Sequence, residues 1–189
     1  MSLIAQLSAV PPETESVAGG ARIQFRRACA VGAGDRVTHV LLHGIGSASG
    51  SWLAQLQQAA AATQPASHVL AWDAPGYGAS TALTMESPQA GDYAARLWAW
   101  LDALQVSAPV TLVGHSLGAL MAAAATQQHP QRVARLVLLA PAAGYARASA
   151  AVRDKKLADR LANLERLGPA GMAQARASAM LAGDASPSQ

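Results

Sequence analysis

Short apolar runs and helically spaced apolar positions take turns along this chain. Residues 37–42, 68–72, 109–113 and 133–140 are compact runs rich in Val and Leu, the pattern of strands buried on both faces. Between them apolar residues recur at helical spacing. Trp52, Leu53 and Leu56 do so within 51–63, and Tyr93, Leu97, Trp100, Leu101 and Leu104 within 88–104. A third helix is expected from Leu117 to the His129-Pro130 break. Ahead of these, 13–18 and 22–30 predict a hairpin turning at Gly19-Gly20, with Ile23 and Phe25 on one face and Arg22, Gln24 and Arg26 on the other. Strand-then-helix repetition predicts an α/β fold, a mainly parallel sheet with helices on both faces.

After residue 145 the pattern changes. Leu157, Leu161, Leu164 and Leu167 form one stripe in a charged helix over 150–167, Gly168-Pro169 ends it, and an Ala-rich helical piece follows over 171–181. The expected division is a core over residues 1–145 and a partial helical cap with its tail over 146–189. The cap is expected to lie over the C-terminal edge of the sheet, where ligands bind in such folds.

Composition narrows the class. Hydrophobic residues make up 51% of the 189 and charged residues only 13%, so a packed core is expected rather than disorder. The net charge of +3 comes from scattered basic residues, with Arg26-Arg27 and Lys155-Lys156 the only adjacent pairs, which is no footprint for nucleic acid. Cys29 is the single cysteine; it allows no intrachain disulfide and is expected to be a buried structural thiol. The leader over residues 1–10 lacks a basic start and a long apolar centre, and no stretch reaches membrane-spanning length. A cytoplasmic protein without a membrane partner is the expectation; the oligomeric state is left open.

The candidate chemistry sits where the run 109–113 enters Gly114-His115-Ser116-Leu117-Gly118 and leaves as a helix. A serine hydroxyl is a weak nucleophile, so it must stand clear of the backbone where a base can reach it and an oxyanion can be stabilised. A strained strand-to-helix turn does this. It brings the residues two before and two after the serine together, which is why Gly114 and Gly118 carry no side chains.

His43-Gly44-Ile45-Gly46, then Asp73-Ala74-Pro75-Gly76-Tyr77-Gly78, then the serine pentapeptide resemble, in that order and spacing, the α/β-hydrolase superfamily. More narrowly, the chain looks like the branch of small carboxylesterases, enol-lactonases and carbon-carbon bond hydrolases. The resemblance implies that Ser116 is the nucleophile and that the backbone N–H groups of Ile45 and Leu117 form the oxyanion hole. It further implies that His43 braces the oxyanion loop with Gly44, while Gly114, His115 and Gly118 support the elbow. The implied reaction is hydrolysis of a small carboxylic ester or lactone through an acyl-serine, with no metal or organic cofactor.

The family places its acid and then its histidine after the serine. Here His129 is the only histidine beyond Ser116, and thirteen helical residues put it about 20 Å away. It is expected to be a solvated helix-end residue. Asp154, Asp159 and Glu165 lie on a helix and Asp184 in a Ser/Pro tail, so the chain resembles a hydrolase truncated after its sixth strand and the start of its cap. The strand over 133–140 is then expected to be an unprotected sheet edge.

Two other classes compete. One is a catalytically incompetent fragment or binding scaffold of the same fold. The other is a dinucleotide-binding oxidoreductase, in which 44–50 is the glycine loop and Asp73 the ribose-binding acid.

Overall fold

The computed structural model describes residues 2–32, 34–62, 66–145 and 147–177. They fall into two compact units, Met1–Ala142 and Ala143–Gln189. The expected end of the helical piece at 178–181, and Asp184, lie outside the described residues.

The first unit is built on a six-stranded sheet. Strands β1 (Pro12–Ser16) and β2 (Arg22–Cys29) form the expected hairpin, and β2 pairs antiparallel with β4 (His68–Trp72). Strands β3 (His39–Leu42), β5 (Val110–His115) and β6 (Val133–Leu139) complete a parallel set, giving the order β1-β2-β4-β3-β5-β6. The central strands are buried because helices cover both faces. On one face α2 (Leu53–Ala61) packs Leu53, Leu56 and Ala59 against Leu41, Val69 and Ala71. On the other, α3 (Ala90–Ala103) and α4 (Leu117–Gln128) cover Leu42, Leu70, Trp72 and Leu112. Alternate residues of β4 thus feed two cores, as the two-residue period of a strand requires. Trp72 and Trp100 stack with centroids 6.2 Å apart, and Phe25 tilts against Trp100 at 5.2 Å. Each large side chain so buried stabilises the fold by roughly 1.5–3 kcal/mol.

Two expectations need correction. Cys29, the last residue of β2, is exposed, and its thiol lies 3.5 Å from the Ala30 carbonyl oxygen and 3.7 Å from that of Gly34. His129 is half-buried rather than solvated, since its ring meets the Trp98 indole edge-on at 5.5 Å. The leader contains a short helix, α1 (Leu3–Ser8), capped by the Ser2 hydroxyl and tied to the sheet by Arg26, whose guanidinium donates to the Leu7 and Val10 carbonyls.

β6 is the last strand of the sheet, and Leu138 and Leu139 on it are exposed. In the second unit α5 (Ala150–Ala177) is broken at Gly168, whose φ is 62° and ψ 175°. Pro169 follows the break, where the sequence placed a helix end. No helix among the described residues is long and apolar enough to cross a membrane.

Candidate active site

Ser116 links β5 to α4 at φ 52° and ψ −112°. A non-glycine residue with that φ is strained, at a cost of about 1–3 kcal/mol, so neighbouring contacts must hold it. They come from the end of β6 and the first turn of α4. The Ser116 N–H donates to the Leu139 carbonyl at 3.0 Å, and its carbonyl accepts the N–H groups of Ala119 at 3.1 Å and Ala142 at 3.2 Å. Ala140, between Leu139 and Ala142, also has a positive φ, 40°. The strained exit of β6 therefore clasps the strained exit of β5.

The glycines on either side are where packing demands them. A Cβ on Gly114 would lie 2.6 Å from the Ala119 Cα and overlap the Gly118 carbonyl oxygen. A Cβ on Gly118 would overlap the Leu42 carbonyl and come within 2.7 Å of that of His43. The missing side chains let α4 start directly against the ends of β3 and β5. Leu117 is the first residue of α4, so its N–H has no intrahelical acceptor.

The loop after β3 approaches from the side. A Cβ on Gly44 would stand 3.1 Å from both the Ser116 Cβ and the His115 Nδ1, so the Gly44 backbone lies against the elbow. His43 is buried and fixes the next peptide. Its Nε2 accepts the Ala74 N–H at 3.0 Å, so the ring proton is on Nδ1, which donates to the Gly44 carbonyl at 2.8 Å. In a planar trans peptide the C=O and the following N–H point opposite ways, so holding the Gly44 oxygen sets the direction of the Ile45 N–H. Burial lowers the His43 pKa, against the pull of the Gly44 carbonyl and the Asp73 carboxylate, which keeps the ring neutral in this role. Tyr77 closes over it edge-on at 4.8 Å.

The structure thus brings together His43, Gly44, Ile45, Gly114, His115, Ser116, Leu117 and Gly118 at the C-terminal ends of β3 and β5. Among the described residues it brings no complete triad to them. Among the described residues no imidazole or carboxylate is hydrogen-bonded to Ser116. His39 and His68 begin β3 and β4 at the opposite end, and His129 lies at the far end of α4. His115 is exposed, its ring resting over Gly44.

Asp73 is not a ribose-binding acid. It is 3% exposed, and its Oδ1 accepts the Ser49 N–H at 2.5 Å, so the dinucleotide reading loses its acidic partner. Sequence reasoning missed this contact, as it missed the β6 clasp. The only hint of the first was an acid at a strand end before a Gly/Pro loop, and an alanine at positive φ leaves no signal at all.

The family model described as alpha/beta hydrolase fold matches residues 40–185. Over 100 residues, 53% of this chain and 36% of the relative, the sequence is 32% identical to the (E)-2-((N-methylformamido)methylene)succinate hydrolase of Acinetobacter baylyi. Among solved structures, a hydrolase from Pseudomonas aeruginosa is similar at TM-score 0.63 and 27% identity, over 79% of this chain and 52% of that one. Est816, described as an N-acyl homoserine lactone degrading enzyme, is similar at TM-score 0.57 and 28% identity, over 68% and 45%. The chain spans about a third of the length of the curated relatives it matches.

Proposed function

The chain belongs to the alpha/beta hydrolase fold family, and from that premise we propose that it is a serine hydrolase of small carboxylic esters or lactones working through an acyl-serine. The observation that carries the proposal is Ser116 held at φ 52° between two glycines, with the Gly44 backbone against its Cβ. Hydrolase and lactone-degrading relatives support the reaction class.

In the proposed reaction the Ser116 Oγ attacks the carbonyl carbon and gives up its proton. The carbonyl oxygen becomes an oxyanion and accepts the Ile45 and Leu117 N–H groups. Collapse breaks the bond to the leaving oxygen, which takes a proton and departs as an alcohol, or stays tethered when a lactone opens. Water then attacks the acyl-serine, releases the acid and returns a proton to Ser116. No step calls for a metal or an organic cofactor. His43, Gly44, Gly114, His115 and Gly118 are supports in this scheme.

Among the described residues none stands as general base to Ser116, and the assistance they supply in this scheme is the oxyanion hole. Loss of triad members leaves about 10³–10⁴-fold over water in enzymes of this type. The same observation favours a second reading, a binding scaffold of hydrolase fold that turns nothing over.

A p-nitrophenyl ester separates the two. The enzyme reading expects a burst of p-nitrophenolate close to one equivalent of protein, followed by slow turnover. Release at the rate seen with Ser116→Ala points to the scaffold.

A further inference from the structure

The oxyanion loop, residues 43–49, has little packing of its own. Ile45 and Gly46 in its middle are exposed, and Gly46 turns the chain at φ 68°. Its geometry is therefore imposed at its ends. At the first end, His43 is held by the Ala74 N–H. At the far end the Ser49 N–H opens the helical turn Ser49–Trp52 that leads into α2, and it donates to Asp73 Oδ1. Both anchors come from one dipeptide, Asp73-Ala74.

We propose that Asp73 is the positioning residue of the oxyanion loop, its carboxylate holding the Ser49 end while the adjoining Ala74 N–H holds the His43 end. This rests on the reading of Ser116 as the nucleophile and names what aims the donor beside it.

Asp73 is itself rigidly held. Its N–H donates to the Gln24 carbonyl at 2.8 Å, and its carbonyl accepts the Ser80 hydroxyl at 2.6 Å. The Ser80 oxygen in turn accepts the Gln24 N–H at 2.9 Å, so the support runs back to strand β2. Gly78 allows the close approach: at φ 54°, a Cβ there would come within 2.7 Å of both Asp73 Oδ2 and Gln24 Oε1. A carboxylate buried this deeply is tolerated only with partners, and a charge-assisted bond to a backbone N–H is a strong one. Ser49 is as deeply buried, at 1% exposure. A loop tied so at both ends keeps the Ile45 N–H aimed without reorganisation when negative charge appears.

The test is the kinetics with which a fluorophosphonate inactivates Ser116, resolved into KI and kinact, beside deuterium uptake by residues 43–52. Asp73→Val removes the acceptor at similar size. It is expected to lower kinact about 10-fold with KI unchanged and to speed uptake in the loop. Asp73→Asn keeps an acceptor oxygen and is expected to stay within about threefold of the parent. Ser49→Pro removes the N–H instead. Proline fits a first helical position after the extended Ala48, so this variant gives the same loss even where Asp73→Val fails to fold. A folded Asp73→Val or Ser49→Pro protein that labels at the parental rate overturns the proposal and leaves the nucleophile intact. Loss in KI alone, or in step with the unfolded fraction, also overturns it. No labelling of the parent protein removes the nucleophile reading first, and this one with it.

Discussion

Gly114 and Gly118 face each other across Ser116 so closely that a side chain on the first would occupy the carbonyl oxygen of the second. The obstruction is backbone, which cannot rotate away as a side chain can. Gly114→Ala and Gly118→Ala are each expected to cost at least about 2 kcal/mol in urea unfolding, through overpacking. They should also move Ser116 out of its turn and abolish its labelling by a fluorophosphonate. An alanine at either position with parental stability would show that the elbow is looser than its contacts imply.

Ser116 is held in a conformation that glycine adopts freely. Ser116→Gly is therefore expected to raise stability by about 1 kcal/mol, relief of strain exceeding the added entropy of the unfolded chain. Ser116→Ala keeps the strain and should change stability little. Thermal or urea unfolding of the pair checks this; a destabilised Ser116→Gly would mean that the φ of 52° costs nothing.

His43 gives a pH signature. Burial places its folded-state pKa below the ordinary value near 6.5, so below that value the unfolded chain binds more protons than the folded one. Stability is thus complete above about pH 6.5 and falls as pH drops below it, and His39 and His68, also lowered by burial, act in the same direction. Urea midpoints measured from about pH 8 to about pH 5.5 should decline, and less steeply in His43→Gln. A flat profile, or an unchanged slope in the variant, would contradict the neutral, two-bonded imidazole.

β6 ends the sheet with Leu138 and Leu139 exposed, a template for pairing with another chain. Leu138→Lys is expected to reduce light scattering on storage or heating while changing unfolding free energy by no more than about 0.5 kcal/mol. Scattering that persists unchanged would place the sticky surface elsewhere.

Much of this was legible in the sequence, for physical reasons specific to each element. Alternation within 22–30 placed Ile23 and Phe25 in the core because a strand has two faces, and the helical spacing of Leu97, Trp100 and Leu101 found the buried side of α3. The elbow could be read because close backbone approach leaves glycine as the only residue that fits at 114 and 118. What could not be read depended on contacts distant in sequence. The hold of Leu139 and Ala142 on Ser116 runs through backbone atoms, which every residue has. Asp73 could be placed at a strand end but not assigned a partner, since Ser49 is 24 residues away. Cys29 defied its usual burial because its side chain points to the opposite face from its neighbours Ala28 and Ala30, which are buried.

Ser116 is proposed to present its hydroxyl for attack on a carbonyl. Incubating the folded protein with a fluorophosphonate and mapping the adduct by peptide mass spectrometry tests it most directly. A single adduct is expected on the peptide carrying Ser116, absent from Ser116→Ala and from protein unfolded in urea. No adduct on the folded protein, or one that persists in Ser116→Ala, would contradict it.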